Sequence, residues 1–184
     1  MARMNSCTFP PARRCRTWSR AWSPRTRRPA QKDSPEPRGA VVTIIRSATL
    51  ADAEALVPLS GQLGYPADAR TITHRLSDIT GRDAGVALVA VDARGAVCGF
   101  AHAEPRRLLI AEPFVELAAL VVSKTARGQG AGKALLAAVE AWARKQGFRR
   151  VRVRSNVIRD RAHRFYLREG YAERKRQVVF FKDL

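Results

Sequence analysis

The order of apolar and polar residues predicts a series of strands and helices that begins near Val41. VVTIIRSAT (41–49) is rich in β-branched residues, which predicts a first strand. Thr49 and Asp52 are spaced like a capping box and predict the start of a helix. A second helix is predicted by apolar residues at i, i+4 and i+7, namely Ile72, Leu76 and Ile79.

The middle of the chain predicts a hairpin, a central strand and a long helix. VALVAVD (86–92) and AVCGFAHAEP (96–105) flank the turn ARG, which predicts two paired strands. FVELAALVVS (114–123) is apolar on both faces and therefore predicts a strand inside the sheet. The helix from Gly130 to Gln146 has an apolar stripe made of Ala131, Ala134, Leu135, Ala138 and Trp142.

The C-terminal part predicts two further strands and one helix. RRVRVRS (149–155) alternates valine with arginine, which predicts a half-exposed strand with Arg150, Arg152 and Arg154 on its solvated face. A helix follows at about 160–169, and QVVFFKDL (177–184) predicts a last strand. The order β-α-α-β-β-β-α-β-α-β indicates a single mixed α/β (α+β) domain over residues 41–184.

Charge and composition add a basic N-terminal extension to this domain. Of the net charge of +18, residues 1–40 carry about +8, from ten Arg or Lys against two acids. This segment is rich in Arg, Pro and Ser and has no helical or strand period, so we expect it to be disordered. A transit peptide, a nucleic-acid arm and an extension without function all fit its composition.

Cysteine spacing and hydropathy limit the classes of protein to be considered. Cys7, Cys15 and Cys98 form neither a disulfide framework nor a zinc-binding spacing, which favours a reducing, cytoplasmic setting without a metal. No apolar run approaches the roughly 18 residues of a membrane-spanning helix, so we expect no membrane partner. The positive charge favours an anionic ligand.

A glycine-rich stretch, RGQGAG (127–132), precedes the long helix. Its spacing fits neither the G-x-G-x-x-G dinucleotide fingerprint nor the P-loop. A glycine turn at a helix N-terminus nevertheless presents free N–H groups to an anion, and Arg127 adds a guanidinium suited to phosphate. The stretch therefore predicts a pyrophosphate site, with an ordinary strand-to-helix turn as the alternative.

Two motifs resemble the GNAT superfamily of N-acetyltransferases. LVVSKTARGQGAGKALLAAVEAWARKQG (120–147) is similar to the family's central motif, R/Q-x-x-G-x-G/A, and AHRFYLREGY (162–171) is similar to its later signature. The resemblance covers residues 41–184. It implies a mostly antiparallel sheet flanked by about four helices, acetyl-CoA as cosubstrate and an amine as acceptor.

The resemblance also implies roles for individual residues. The loop Arg127, Gly128, Gln129, Gly130, Ala131 and Gly132 would bind the CoA pyrophosphate, and the backbone of Leu120, Val121 and Val122 would pair with the pantetheine arm. Tyr166 matches a tyrosine that faces the thioester sulfur. Asn156 is assigned to the cofactor, although the family's usual asparagine position holds Arg159 here.

Glu116 lies in an otherwise apolar strand and is the candidate base for the amine. A buried carboxylate needs a partner, so a salt bridge to an arginine is the alternative. Together these features predict direct transfer of acetyl to a primary amine of a small molecule, an aminoglycoside-like compound or a protein. A basic nucleic-acid-binding protein and a CoA-binding module without turnover are the alternatives, and a homodimer is left open.

Overall fold

A computed structural model of the chain describes residues 43–80 and 85–184. The predicted basic extension (1–40) lies outside this part, as does the predicted start of the first strand at Val41. The strands are β1 (Ile44–Ser47), β2 (Val86–Val91), β3 (Val97–Leu108), β4 (Ala111–Val122) and β5 (Val151–Val153). The helices are α1 (Ala53–Leu63), α2 (Ala69–Thr80), α3 (Ala131–Lys145) and α4 (Asp160–Arg168). Short 3₁₀ turns precede α1 and follow β4, at Leu50–Asp52 and Lys124–Ala126.

The five strands form one sheet in the order β1-β2-β3-β4-β5. Neighbouring strands from β1 to β4 are antiparallel, and β4 and β5 are parallel. The predicted hairpin between β2 and β3 is confirmed: the Asp92 carboxylate accepts the N–H groups of Arg94 (2.9 Å) and Ala96 (3.0 Å), and Gly95 has φ 80. The mostly antiparallel sheet with four helices is therefore as expected.

The two faces of the sheet pack against different helices. Leu117 and Val115 of β4 pack in one buried cluster with Leu135 and Val139 of α3. On the opposite face α1 and α2 pack against β2 and the end of β4, in a cluster that includes Leu56, Ile72, Val89 and Val121. Ile72 and Leu76 of the stripe predicted for α2 are buried and Ile79 is half-buried. The stripe predicted for α3 is only partly the buried face, because Ala131 and Leu135 are buried and the other members are half-buried. The rest of the buried face of α3 consists of Leu136, Val139 and Ala143.

The middle of β4 is irregular, and there β4 and β5 separate. The register shifts between β3 and β4, because His102 faces Ala119 whereas Ala103 faces Leu117, which leaves Ala118 as an extra, exposed residue. Such bulges bend the strand that carries them. Strand β5 pairs with β4 only at residues 115–117. In the described part of the chain, residues 118–122 of β4 therefore have no strand partner on the β5 side, and we call this opening the split.

The start of α1 is fixed by a charged network around Asp52. Its carboxylate accepts the Thr49 N–H (2.8 Å) and two hydrogen bonds from the Arg46 guanidinium (2.7 and 2.8 Å). The Arg46 hydrogen bonds, aided by those from Thr49, lower the pKa of Asp52 to about 2 against the cost of burial. The Thr49–Asp52 capping box predicted from sequence is confirmed, and it caps a 3₁₀ turn, Leu50–Asp52, that leads directly into α1 at Ala53.

The prediction of a last strand is wrong. Residues 172–184 form no helix or strand, and Phe180 and Phe181 are 88% and 93% exposed. High β-propensity expresses how well a residue fits a pleated, half-buried surface, so it does not form a strand without a neighbour to pair with. Strand β5 is also shorter than predicted, at three residues. None of the helices in residues 43–80 and 85–184 is both long and apolar enough to cross a membrane.

Candidate active site

The glycine loop forms an open cradle at the start of α3. Gly128 and Gly130 have φ 83 and φ 89, a left-handed conformation that favours glycine, and Gly130 is the N-cap residue of α3. The first N–H groups of a helix have no intrahelical acceptor, and at α3 no side chain of the N-cap residue caps them. A Cβ atom added at either glycine would meet nothing within 4 Å. The space before the loop is therefore free for a ligand.

The charges around this cradle are positive. The first turn of α3 contains no acidic residue and includes the exposed Lys133. Arg127 donates its Nε–H to the Val122 carbonyl (3.1 Å), which holds the guanidinium between the loop and the end of β4. Gln129 donates to the Thr125 carbonyl (3.4 Å) and so braces the loop itself. Free N–H groups, a helix N-terminus and cations are the donors that a pyrophosphate requires, so the residues present fit CoA.

The loop, the split and α4 meet at one place. A Cβ atom on Gly132 would lie 3.6 Å from Val122 and 3.7 Å from the ring of Phe165 on α4. The side chains of Leu120 and Val122 pack toward α3, whereas Val121 packs toward α1 and α2. The backbone of this stretch borders the split, where an extended ligand would find an unpaired strand edge. Leu120, Val121 and Val122 thus contribute their side chains to the core and their backbone to an unpaired strand edge.

Tyr166 lies in α4, next to this meeting point. Its half-buried ring packs against Phe165 (centroids 5.2 Å apart) and Tyr171 (5.7 Å). Burial raises the pKa of Tyr166 to about 12, and the positive charge of Arg159 opposes this shift. The phenol is therefore protonated at neutral pH, which suits a proton donor and excludes a resident phenolate.

Asn156 belongs to the turn that leads into α4. Its Oδ1 accepts the Ile158 N–H (3.1 Å), and its carbonyl oxygen hydrogen-bonds with Nε2 of His163 (3.0 Å). The side-chain oxygen is thus used locally, and the assignment of Asn156 to the cofactor stays a prediction. Arg159 donates to the carbonyl of Leu63 at the end of α1, so it connects the approach to α4 with the opposite face of the sheet.

Glu116 is buried and held by arginines. Its side chain is 2% exposed, Oε1 accepts from Arg154 Nε (2.6 Å), and Oε2 accepts from Arg152, with Arg106 Nε 3.9 Å away. Both carboxylate oxygens are therefore engaged in the salt bridges named above as the alternative. The role of Glu116 as a base stays a prediction, and it requires one guanidinium to move.

Sequence reasoning missed the part that these arginines play. The alternating pattern of residues 149–155 predicts a solvated face for Arg152 and Arg154, but both cover Glu116, because Glu116 of β4 lies beside Arg152 of β5. The alternation of RVRVR shows which residues share a face and does not show which strand lies beside them. No local signal in the sequence gives that pairing.

Comparison with known proteins agrees with this geometry. The family profile described as "Acetyltransferase (GNAT) family" matches residues 55–171. An aminoglycoside N(6')-acetyltransferase type 1 from Stenotrophomonas maltophilia is 34% identical over 140 residues, which are 74% of this chain and 90% of that protein. An aminoalkylphosphonate N-acetyltransferase from Salmonella typhimurium is 47% identical over 58 residues, which are 32% of this chain and 38% of that protein.

Solved structures share the fold. The aminoglycoside N-acetyltransferase AAC(6')-Iy in complex with CoA aligns with a TM-score of 0.71 and 24% identity, over 80% of this chain and 99% of that one. At this identity the likeness concerns the fold alone. It extends the agreement from the two sequence motifs to the arrangement of sheet and helices.

Proposed function

The chain belongs to the GNAT family of acetyltransferases and is an acetyl-CoA-dependent N-acetyltransferase, and from that premise we propose that it acetylates the primary amine of a small acceptor by direct attack. The observation that carries the proposal is the meeting of the glycine cradle, the split and Tyr166 at one place. We further propose that it acts in the cytoplasm, because the scattered cysteines of the sequence suit a reducing compartment.

The residues proposed to bind acetyl-CoA lie in the glycine loop and along the split. Residues 127–132 would hold the pyrophosphate through backbone N–H groups, with Arg127 as the guanidinium partner, and residues 120–122 would pair with the pantetheine arm. Acetyl-CoA supplies an acetyl group activated as a thioester. The cradle and the adjoining α3 N-terminus lie on the α3 side of the sheet, so the acceptor would reach the split from the side of α1 and α2.

The common feature of the two curated relatives is the amine that they acetylate. The longer match is named for an aminoglycoside and the shorter one for an aminoalkylphosphonate. These acceptors differ in charge and size, which supports an amine acceptor without choosing between them. The acceptor is therefore proposed to be a small-molecule amine.

Two proton transfers are assigned within the proposal. An alkylamine has a pKa of about 10.4 and must lose a proton before it can attack, and Glu116 is the proposed acceptor of that proton once a guanidinium has released one of its oxygens. A thiolate leaving group has a pKa of about 8.5, and the Tyr166 hydroxyl is the proposed donor that protonates its sulfur. The high pKa of Tyr166 keeps that proton in place until then.

The cradle can be tested by measuring the thermal shift caused by acetyl-CoA. At a concentration about 100 times the Kd, wild-type protein should gain roughly 2.7 kcal/mol. Gly130→Asp places a carboxylate in front of the helix N-terminus and should abolish this shift. Gly95→Asp is the matched control, because Gly95 is also left-handed and open, at φ 80, but lies in the β2–β3 turn. A full shift for Gly130→Asp would refute this placement of the cosubstrate.

A further inference from the structure

The face of the sheet opposite α3 carries a group of arginines beside the split. Phe114 and Glu116 alternate along β4 with Val115 and Leu117, which pack against α3, so they lie on the other face. Glu104 of β3 and Arg152 of β5 are the register neighbours of Glu116 and share that face. The rung formed by Leu117 and Val153 is the last one before β4 and β5 separate. The group therefore borders the split.

Three guanidinium groups surround the buried Glu116, and we call Arg106, Arg152 and Arg154 the arginine cluster. Their side chains are 44%, 38% and 60% exposed, so they form the surface of this region. Arg152 stacks over the Phe114 ring, with 4.2 Å from Cζ to the centroid, which fixes the plane of its guanidinium. Arg154 is bonded to Glu116 through Nε. Its two terminal nitrogens have no hydrogen bond to any residue in the described ranges.

The cluster has more positive charge than its carboxylates neutralise. Among the described residues, the acids that form ion pairs with the cluster are Glu116 and Glu104, and Glu104 lies 3.7 Å from Arg106 and 3.3 Å from His102. Burial lowers the pKa of His102 and so disfavours a positive charge on its imidazole. Three arginines against two carboxylates leave a charge of about +1. Arg152 Nε, moreover, is buried without a hydrogen-bond partner among the described residues.

We propose that the arginine cluster binds an anionic group on the acceptor, so that the substrate is an amine that also carries a phosphonate, phosphate or carboxylate. The inference rests on the proposed function, because the α3 side is assigned to acetyl-CoA and the acceptor then enters over this face. Planar guanidinium groups bind such oxyanions in paired hydrogen bonds. A polycationic acceptor would instead meet a net positive surface whose carboxylates are already paired.

The proposal can be tested with three amines of equal length that differ in one group, and with a polycationic aminoglycoside. Thiol release from acetyl-CoA is measured with the matched amines 2-aminoethylphosphonate, 3-aminopropanoate and propylamine, and with kanamycin. We expect kcat/KM for at least one of the two anionic amines to exceed that for propylamine by about tenfold or more. The better of the two identifies the anionic group. A higher kcat/KM for propylamine or kanamycin would overturn the inference while leaving the acetyltransferase activity intact.

Arg154→Gln tests the cluster itself, because Arg154 is exposed and its loss leaves Arg152 paired with Glu116. Loss of Arg154 also frees one oxygen of Glu116, and this acts on both amines alike, so the measured quantity is the ratio of the two kcat/KM values. We expect kcat/KM for the preferred anionic amine, relative to that for propylamine, to fall by about 10- to 100-fold. Arg149→Gln removes the same charge from an exposed arginine without an ion pair in the described residues and should change neither value.

The outcomes separate the inference from the function on which it rests. Equal losses with both amines in Arg154→Gln, or thiol release with propylamine or kanamycin but with neither anionic amine, would overturn the inference alone. Absence of both an acetyl-CoA thermal shift and thiol release with every amine would instead refute the proposed function. The thermal shift needs no acceptor, so it reports on the cradle independently of the arginine cluster.

Discussion

Replacing Glu116 with glutamine tests whether this carboxylate is a base or only an anchor for arginines. The substitution keeps the shape of the side chain and removes its charge. Because Glu116 is 2% exposed and bonded to Arg152 and Arg154, the variant loses its charge in a buried position, and its amide NH₂ can no longer accept the hydrogen bond from one of the two guanidinium groups. Either role therefore predicts a loss of stability, and only the role as a base predicts a particular pH dependence of the rate.

The loss of stability can be worked out from the contacts. Hydrogen bonds to charged groups contribute about 1.5–3 kcal/mol each. Water recovers part of this in the variant, since the side chains of Arg152 and Arg154 are 38% and 60% exposed. We therefore expect the free energy of unfolding to fall by about 2 kcal/mol and the Tm by about 4–8 °C. Glu140→Gln is the control. Glu140 of α3 likewise accepts two side-chain hydrogen bonds, from Tyr171 (3.1 Å) and from Arg144 (3.3 Å), but it lies away from the split.

The rate measurement decides between the two roles. If Glu116 accepts the amine proton, kcat/KM at pH 7 falls by about 10² to 10⁴. The variant then depends on free amine, whose fraction rises about tenfold per pH unit toward the amine pKa of about 10.4, so its rate recovers from pH 7 to pH 9. The assay is thiol release with propylamine, because propylamine carries no anionic group that the arginine cluster could bind. A variant with the expected loss in Tm but wild-type kcat/KM at pH 7 would leave Glu116 as an anchor only.

Two further predictions concern Tyr166 and Asp52. Tyr166→Phe should lower kcat by about 10² to 10⁴ through loss of the proton donor, while the acetyl-CoA thermal shift is unchanged. The control is Tyr171→Phe, which removes a hydrogen bond to Glu140 and should lower Tm without lowering kcat. Equal losses of kcat in the two variants would contradict a specific role for Tyr166. The pKa of Asp52 is lowered from 3.8 to about 2, so its stabilisation of about 2 kcal/mol is fully present above about pH 4 and disappears as the pH falls through about 2. Urea unfolding should therefore show Asp52→Asn less stable than wild type by about 2 kcal/mol at pH 5 and nearly equal to it near pH 2, and a difference that persists at low pH would contradict the assigned cause.

Features that depend on neighbours along the chain could be predicted from the sequence. Thr49 and Asp52 hydrogen-bond within one turn, and the β2–β3 turn is closed within five residues. Gly130 is the residue directly before α3. In each case the sequence contains both partners of the interaction at a fixed spacing. The family resemblance extended this to the sheet as a whole, because it implies a mostly antiparallel sheet, which the order of elements alone leaves open.

Features that depend on pairing between distant segments could not be predicted in the same way, and the arginine cluster is the clearest case. The pattern of residues 149–155 gives the face on which Arg152 lies, but its partner Glu116 is 36 residues away on a strand that runs parallel to it. The same limit explains the last strand, because Phe180 and Phe181 have strand propensity and no described neighbour to realise it. The residues proposed here to select the acceptor lie where two strands from separate parts of the chain meet, so the sequence motifs identify the acetyl donor while the tertiary structure suggests the charge of the acceptor.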